Sequence, residues 1–118
     1  MISKGALLAC VLAFTGCTVS SAASQPVDFA RDVYPVFQKA CFECHSEKEQ
    51  KGKLRLDARE HAFKGGSSGS VIVAGDALKS DLYRRIILPK NHDDVMPSRG
   101  EPLAKAETDR IKAWIESG

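Results

Sequence analysis

Cys41-Phe42-Glu43-Cys44-His45 places two thiols three positions apart, with an imidazole directly after the second. That spacing suits one chemistry above others. On a single turn of backbone the two sulfurs can reach the two vinyl groups of one porphyrin as thioethers. His45 is then carried beneath the ring, where its imidazole can bind iron. Two other chemistries use closely spaced thiols. A redox dithiol of the thioredoxin kind sits in a βαβ setting, for which the sequence has no pattern. A structural zinc site needs a second ligand pair at suitable spacing, and no cysteine follows Cys44. The motif therefore predicts one covalently bound haem c, attached through Cys41 and Cys44, with His45 as proximal iron ligand.

A haem with one protein ligand leaves the sixth iron position to be filled. Only two methionines exist, Met1 and Met96. Met96 sits in Val95-Met96-Pro97-Ser98-Arg99-Gly100, a loop where a methionine has little packing reason to be. Pro97 fixes its own backbone, removes a donor and restrains Met96 to extended geometry. Such a loop can hold a thioether against iron from the distal side. The competing use of Met96 is as a pliable gap-filler. His92, four residues earlier and beside Asp93 and Asp94, is a rival ligand, as is His61 within Arg59-Glu60-His61. Both histidines lie in polar surroundings that suit solvated side chains. His45 and Met96 are thus the expected metal ligands, and no residue is given a catalytic role.

The elements that must position these residues fit in one domain of a 118-residue chain. Seventeen basic and fifteen acidic residues leave a net charge of +2, so bulk charge does not point to nucleic acid. The N-terminus reads as an export signal over residues 1–16: Lys4, an apolar run over residues 5–14, then small residues. That run is shorter than the roughly 20 residues a spanning helix needs. Phe14-Thr15-Gly16-Cys17 resembles a bacterial lipobox, with Phe14 where leucine is usual. Acylated Cys17 would tether the domain to a membrane surface without spanning it. The rival is ordinary cleavage after Ala23, where Ser21-Ala22-Ala23 has small residues at the required positions; Cys17 would then be discarded. The lipoprotein reading is favoured because a cysteine falls where the apolar run ends; Cys10 lies too deep in it for the same role. Residues 17–26 read as a flexible tether, and residues 27–118 as the haem domain.

Within that domain Phe29, Val33, Val36, Phe37 and Ala40 recur at helical steps, with Asp28 or Asp32 as cap. Pro35 is tolerated if Asp32 caps, since it then lies in the first turn. The helix delivers the chain into Cys41. Residues 46–53 read as a surface loop, Leu54-Arg55-Leu56 as a short extended piece, and residues 58–64 as a short helix. Gly65-Gly66-Ser67-Ser68-Gly69-Ser70 breaks regular structure. Ser80 is an N-cap candidate for a helix over 81–88, stopped by Pro89. Residues 104–117 form the clearest helix, with Ile111, Trp114 and Ile115 on one face. These elements predict a small all-α domain with long loops around the haem. In so small a domain the porphyrin would supply much of the core.

From Phe29 to Trp114 the chain resembles the planctomycete-type cytochrome c domain. The carriers are Asp32-Val33-Tyr34-Pro35-Val36-Phe37 leading into the haem motif, Gly52-Lys53-Leu54-Arg55-Leu56-Asp57, Gly65-Gly66 and Gly75-Asp76. Ser80-Asp81-Leu82-Tyr83-Arg84-Arg85-Ile86, Met96-Pro97 and Trp114-Ile115 complete the set. The middle stretch carries the specificity, because the haem motif is common to all c-type cytochromes. The resemblance implies a cytochrome c-like fold with N- and C-terminal helices packed across each other, Cys41 and Cys44 attaching haem, and His45 and Met96 as axial ligands. Ala74 and Ser98 stand where prolines are expected, and the second change leaves the Met96 loop less rigid. In that family the domain is often fused to larger modules, whereas this chain, ending at Gly118, is expected to stand alone.

Together these readings predict an exported, periplasmic monohaem cytochrome that carries single electrons between redox partner proteins, anchored through Cys17. Lys39, Lys48, Lys51 and Lys53 flank the attachment motif and could steer an acidic partner, although an ordinary solvated surface is the favoured reading of them. The alternatives are a peroxide- or gas-binding haem protein and a permanently docked haem subunit of a larger redox enzyme.

Overall fold

The computed structural model describes Gly5, residues 10–17 and residues 25–118. Lys4, the Ser21-Ala22-Ala23 cleavage alternative and most of the tether lie outside the described residues. Among the described residues the structure is helical and contains no strand, only isolated bridges between His45 and Gln50 and between Gly66 and Gly69. None of its helices is long and apolar enough to cross a membrane.

A π-helical turn, Phe29–Val33, runs directly into α1, Tyr34–Ala40. A 3-10 turn, Lys51–Lys53, follows the haem motif. Then come α2 (Arg59–Lys64), α3 (Asp81–Ile86) and α4 (Lys105–Glu116). The two candidate caps at the first element act together. The Asp28 carboxylate accepts from Arg31 N at 2.8 Å, while Asp28 N donates to Asp32 Oδ2 at 2.9 Å. The helical segment therefore starts a turn before the position at which Asp32 would make Pro35 tolerable. Tyr34 N reaches back five residues to the Phe29 carbonyl, so a widened turn ends where Pro35 has no N–H to give.

Trp114 is the centre of the aromatic core. Its ring lies 5.2 Å from Phe29, 5.4 Å from Phe63 and 6.0 Å from Phe37, centroid to centroid. Such pairs contribute about 0.5–1.5 kcal/mol each beyond their buried area. Val33, Val36, Phe37, Ile111, Trp114 and Ile115 are all buried, so the N-terminal helical segment packs on α4 through the apolar faces that their periodicity defines. Glu107 secures the start of α4 twice: its side chain accepts from Ala104 N at 3.0 Å and from Lys39 Nζ at 3.0 Å. Lys39 is thereby paired rather than free to meet a partner.

Two expectations for the middle of the chain are corrected. The third helix ends at Ile86, before Pro89 rather than at residue 88. Ser80 precedes it but makes no capping hydrogen bond. Ser80 is fully buried, and its Oγ accepts from Val73 N at 2.9 Å and donates to the Asp76 carbonyl at 2.8 Å. It ties the 73–76 loop to the foot of α3. Gly75 N donates to the Ile115 carbonyl at 2.8 Å, which fastens the same loop to α4.

Candidate functional site

The haem motif leaves α1 as a continuation of its last turn. Cys41 N and Phe42 N both donate to the Phe37 carbonyl, at 2.7 and 3.0 Å, and His45 N donates to the Cys41 carbonyl at 2.9 Å. Residues 50–56 then brace the motif from behind. Lys51 N donates to the Cys44 carbonyl at 2.9 Å, and Leu56 N to the His45 carbonyl at 2.8 Å. The chain thus fixes the backbone on both sides of His45 with ordinary turn hydrogen bonds.

On the far side, α3 and the loop after it present Met96. Met96 N donates to the Arg85 carbonyl at 3.1 Å, and the preceding Val95 is buried. Cys41, Cys44, His45 and Met96 all line one cavity of about 290 Å³. That volume is near the lower end of the roughly 300–1,000 Å³ typical of small-molecule and cofactor sites. Phe37, Leu54, Leu56, Leu82 and Ile86 give the cavity apolar walls.

Burial, and secondarily the neighbouring Cys44 thiol, push the Cys41 thiol up to about 12. A thiol so disfavoured as an anion lacks the lowered pKa of reactive redox dithiols. Among the described residues no group of three or more metal-ligating side chains of the His, Cys, Asp and Glu type comes together.

The residues present fit a haem. His45 Nδ1 is buried with no hydrogen-bond partner. A buried polar nitrogen left unpaired costs about 1–3 kcal/mol, so an imidazole in this state is suited to bind iron through one nitrogen and to be oriented through the other. Gly66 adds a second indication: a Cβ there would run into the Gly52 carbonyl, and both glycines line the cavity. Their lack of side chains lets two backbone segments approach each other and form a close wall. Lys51, Arg85 and Arg99 also line the cavity and supply positive charge for the carboxylates of a haem. Arg85 is held by Asp81 at 2.7 Å, and Arg99 faces Glu43 at 3.9 Å.

The rival distal ligands are not brought to this cavity. His92 is exposed, and its Nδ1 accepts from Asp94 N at 3.0 Å. His61, on α2, lines a separate small pocket. Arg85 and Gly66 entered the sequence reading only within stretches that carry the family resemblance, with no role at the site; their neighbours across space make them cavity residues. Cys17 and Cys10 are exposed and unpaired, remote in sequence from the cavity.

No curated protein and no solved structure matches the chain. A family model described as Planctomycete cytochrome C matches residues 41–100, just over half of the 118 residues, from the first attachment cysteine through the Met96 loop. The chain therefore belongs to the planctomycete cytochrome c family, a membership that implies a covalently bound haem c.

Proposed function

We propose that the protein is an exported monohaem c-type cytochrome that carries single electrons, with its iron held between His45 and Met96. The observation supporting this reading is that one cavity is lined by both attachment cysteines, by His45 and, from another part of the chain, by the sole methionine beyond Met1. Bound haem supplies reversible one-electron chemistry. The chain's residues do the rest. Cys41 and Cys44 would attach the haem, His45 and Met96 would ligate its iron, and Phe37, Leu56, Leu82 and Ile86 would keep water from it. Ligation by both residues would leave no open site for bond-making, which favours a carrier over an enzyme. His/Met ligation raises the reduction potential relative to two histidines.

A peroxide- or gas-binding reading has less support, because its distal acid/base would be His92, which is exposed and outside the cavity lining. Export and anchoring through an acylated Cys17 belong to the same proposal, supported by the lipobox-like run and by the exposure of Cys17. The partners are redox proteins, and the exposed Lys48 and Lys53 would favour an acidic one.

Intact mass and electronic spectra of the protein, produced with a competent cytochrome maturation system, test the proposal together. One covalent haem, an acylated N-terminal Cys17 and a low-spin oxidised spectrum with a methionine–iron charge-transfer band are expected. A colourless polypeptide would end the haem reading. A high-spin spectrum would end the carrier reading.

A further inference from the structure

We propose that the protein binds a small tetrahedral oxoanion, inorganic phosphate or sulfate, in a basic pocket on the reverse face of the haem-cavity wall. The pocket, about 60 Å³, is lined by Gln50, Lys53, Arg55, His61, Lys64 and Gly65. Four of these six residues, Lys53, Arg55, Lys64 and the imidazole-bearing His61, are basic. The pocket opens to solvent and is large enough to admit a small oxoanion.

The charge is cancelled only in part: Asp57 pairs with Arg55. Arg55 Nε and Nη2 donate to Asp57 at 3.0 and 2.9 Å, which leaves Nη1 to donate elsewhere. Asp57 and Glu47 are the carboxylates whose charge acts on Arg55, and Glu60 lies beside His61 on the exposed side of α2. Among the described residues neither Lys53 nor Lys64 is in an ion pair. Lys53 also holds φ at +55°, directly after Gly52 at +63°. A lysine takes up that left-handed conformation only at a cost.

One segment serves both cavities. Lys51, Gly52 and Leu54 line the haem cavity, while Gln50, Lys53 and Arg55 line the pocket. The same segment is hydrogen-bonded to the Cys44 and His45 carbonyls through Lys51 N and Leu56 N, at 2.9 and 2.8 Å. An anion in the pocket thus lies behind the backbone that carries the axial histidine. Its negative charge favours the oxidised iron, so by linkage it binds the oxidised protein more tightly and lowers the potential by the same factor. This redox coupling rests on the His45-ligated haem proposed above; the anion binding does not.

The test uses reduced, diamagnetic holoprotein. Inorganic phosphate is titrated against chloride at constant ionic strength, and backbone amide shifts are followed. Saturable shifts confined to Lys53, Arg55, His61, Lys64 and Gly65 are expected. The paired change Lys53→Gln, Lys64→Gln should weaken binding about tenfold or more, the loss of at least one charge-assisted contact. Lys79→Gln, Lys105→Gln, matched in charge, should not. Shifts that never saturate and spread over the exposed lysines overturn the site, as does full binding by the Lys53/Lys64 variant. A response to phosphatidylglycerol vesicles but not to inorganic phosphate overturns it too. The potential is read on the same sample. A threefold preference for the oxidised form lowers it by about 28 mV, at about 59 mV per tenfold for one electron. Saturable binding with an unmoved potential overturns the coupling. Because the low-spin spectrum is recorded throughout, failure of anion binding is told apart from failure of the haem assignment.

Discussion

Ser80→Asp separates two roles that the residue before α3 could have. As an N-cap, aspartate is serine's equal, and the change would be nearly neutral. In the structure Ser80 is 0% exposed, and its hydroxyl both accepts from Val73 N and donates to the Asp76 carbonyl. An aspartate has no proton to give that carbonyl, and its charge would be enclosed without a cationic partner. Losing the donated hydrogen bond costs about 1 kcal/mol, and enclosing an unpaired charge about 3 kcal/mol or more. A loss of roughly 4 kcal/mol lowers Tm by roughly 16–32 °C, at about 4–8 °C per kcal/mol for a domain near this size. Ser80→Ala removes both the acceptor of Val73 N and the donor to the Asp76 carbonyl without enclosing a charge, and should cost about 1–3 kcal/mol. Thermal and urea unfolding of the holoprotein at pH 7, followed by far-UV circular dichroism, give both values. Because α3 carries the Arg85 carbonyl that holds Met96 N, the methionine–iron band of Ser80→Asp should fade below its own unfolding transition. If Ser80→Asp unfolds within about 0.5 kcal/mol of the parent and Ser80→Ala is the weaker of the two, the hydroxyl is a cap and this account of the loop is wrong.

Met96→Ala should keep haem covalently bound while lowering the potential and opening the iron, seen as a shift toward high-spin absorption; an unchanged spectrum means another side chain is the distal ligand. Cys17→Ser should release the domain from membranes on fractionation, and membrane retention of that variant removes the lipid anchor. Asp32 titrates at about 2 rather than 3.8, chiefly through its hydrogen bond from Arg31. A carboxyl depressed in the folded state contributes stability above its unfolded value, and this is lost as pH falls from about 4 toward 2. Asp32→Asn should therefore flatten the acid limb of the stability profile across that window. An acid limb identical to the parent's denies the Arg31 pairing any part in it.

Five consecutive residues suggested a c-type haem protein, and the family match agrees at that level, because a porphyrin's two vinyl groups impose a local spacing. The N- and C-terminal helices were legible for a similar reason: Val33, Val36, Phe37, Ile111, Trp114 and Ile115 repeat at the period of a helix. Short-range pattern also marked Leu54-Arg55-Leu56 and the brief α2. It failed at Ser80, where a residue type common at caps was needed by a loop seven positions earlier. At Pro35, both acidic candidates were in use, and a widened turn rather than a choice of cap accommodated the ring.

What the linear order of residues determined by itself was the chemistry of each group: two thiols and an imidazole at a spacing that suggests a cofactor, a thioether in a later loop, and the helices that carry them. Folding alone decided which groups share a wall. His45 and Met96, fifty-one positions apart in number, line one cavity because α3 packs on the core and its Arg85 carbonyl holds the Met96 loop. Gly52 and Gly66 meet for the same kind of reason, and the segment between Gln50 and Arg55 faces two cavities at once. Side-chain type is a property of one residue, whereas adjacency across a core depends on how all the elements close together, and no local pattern encodes that.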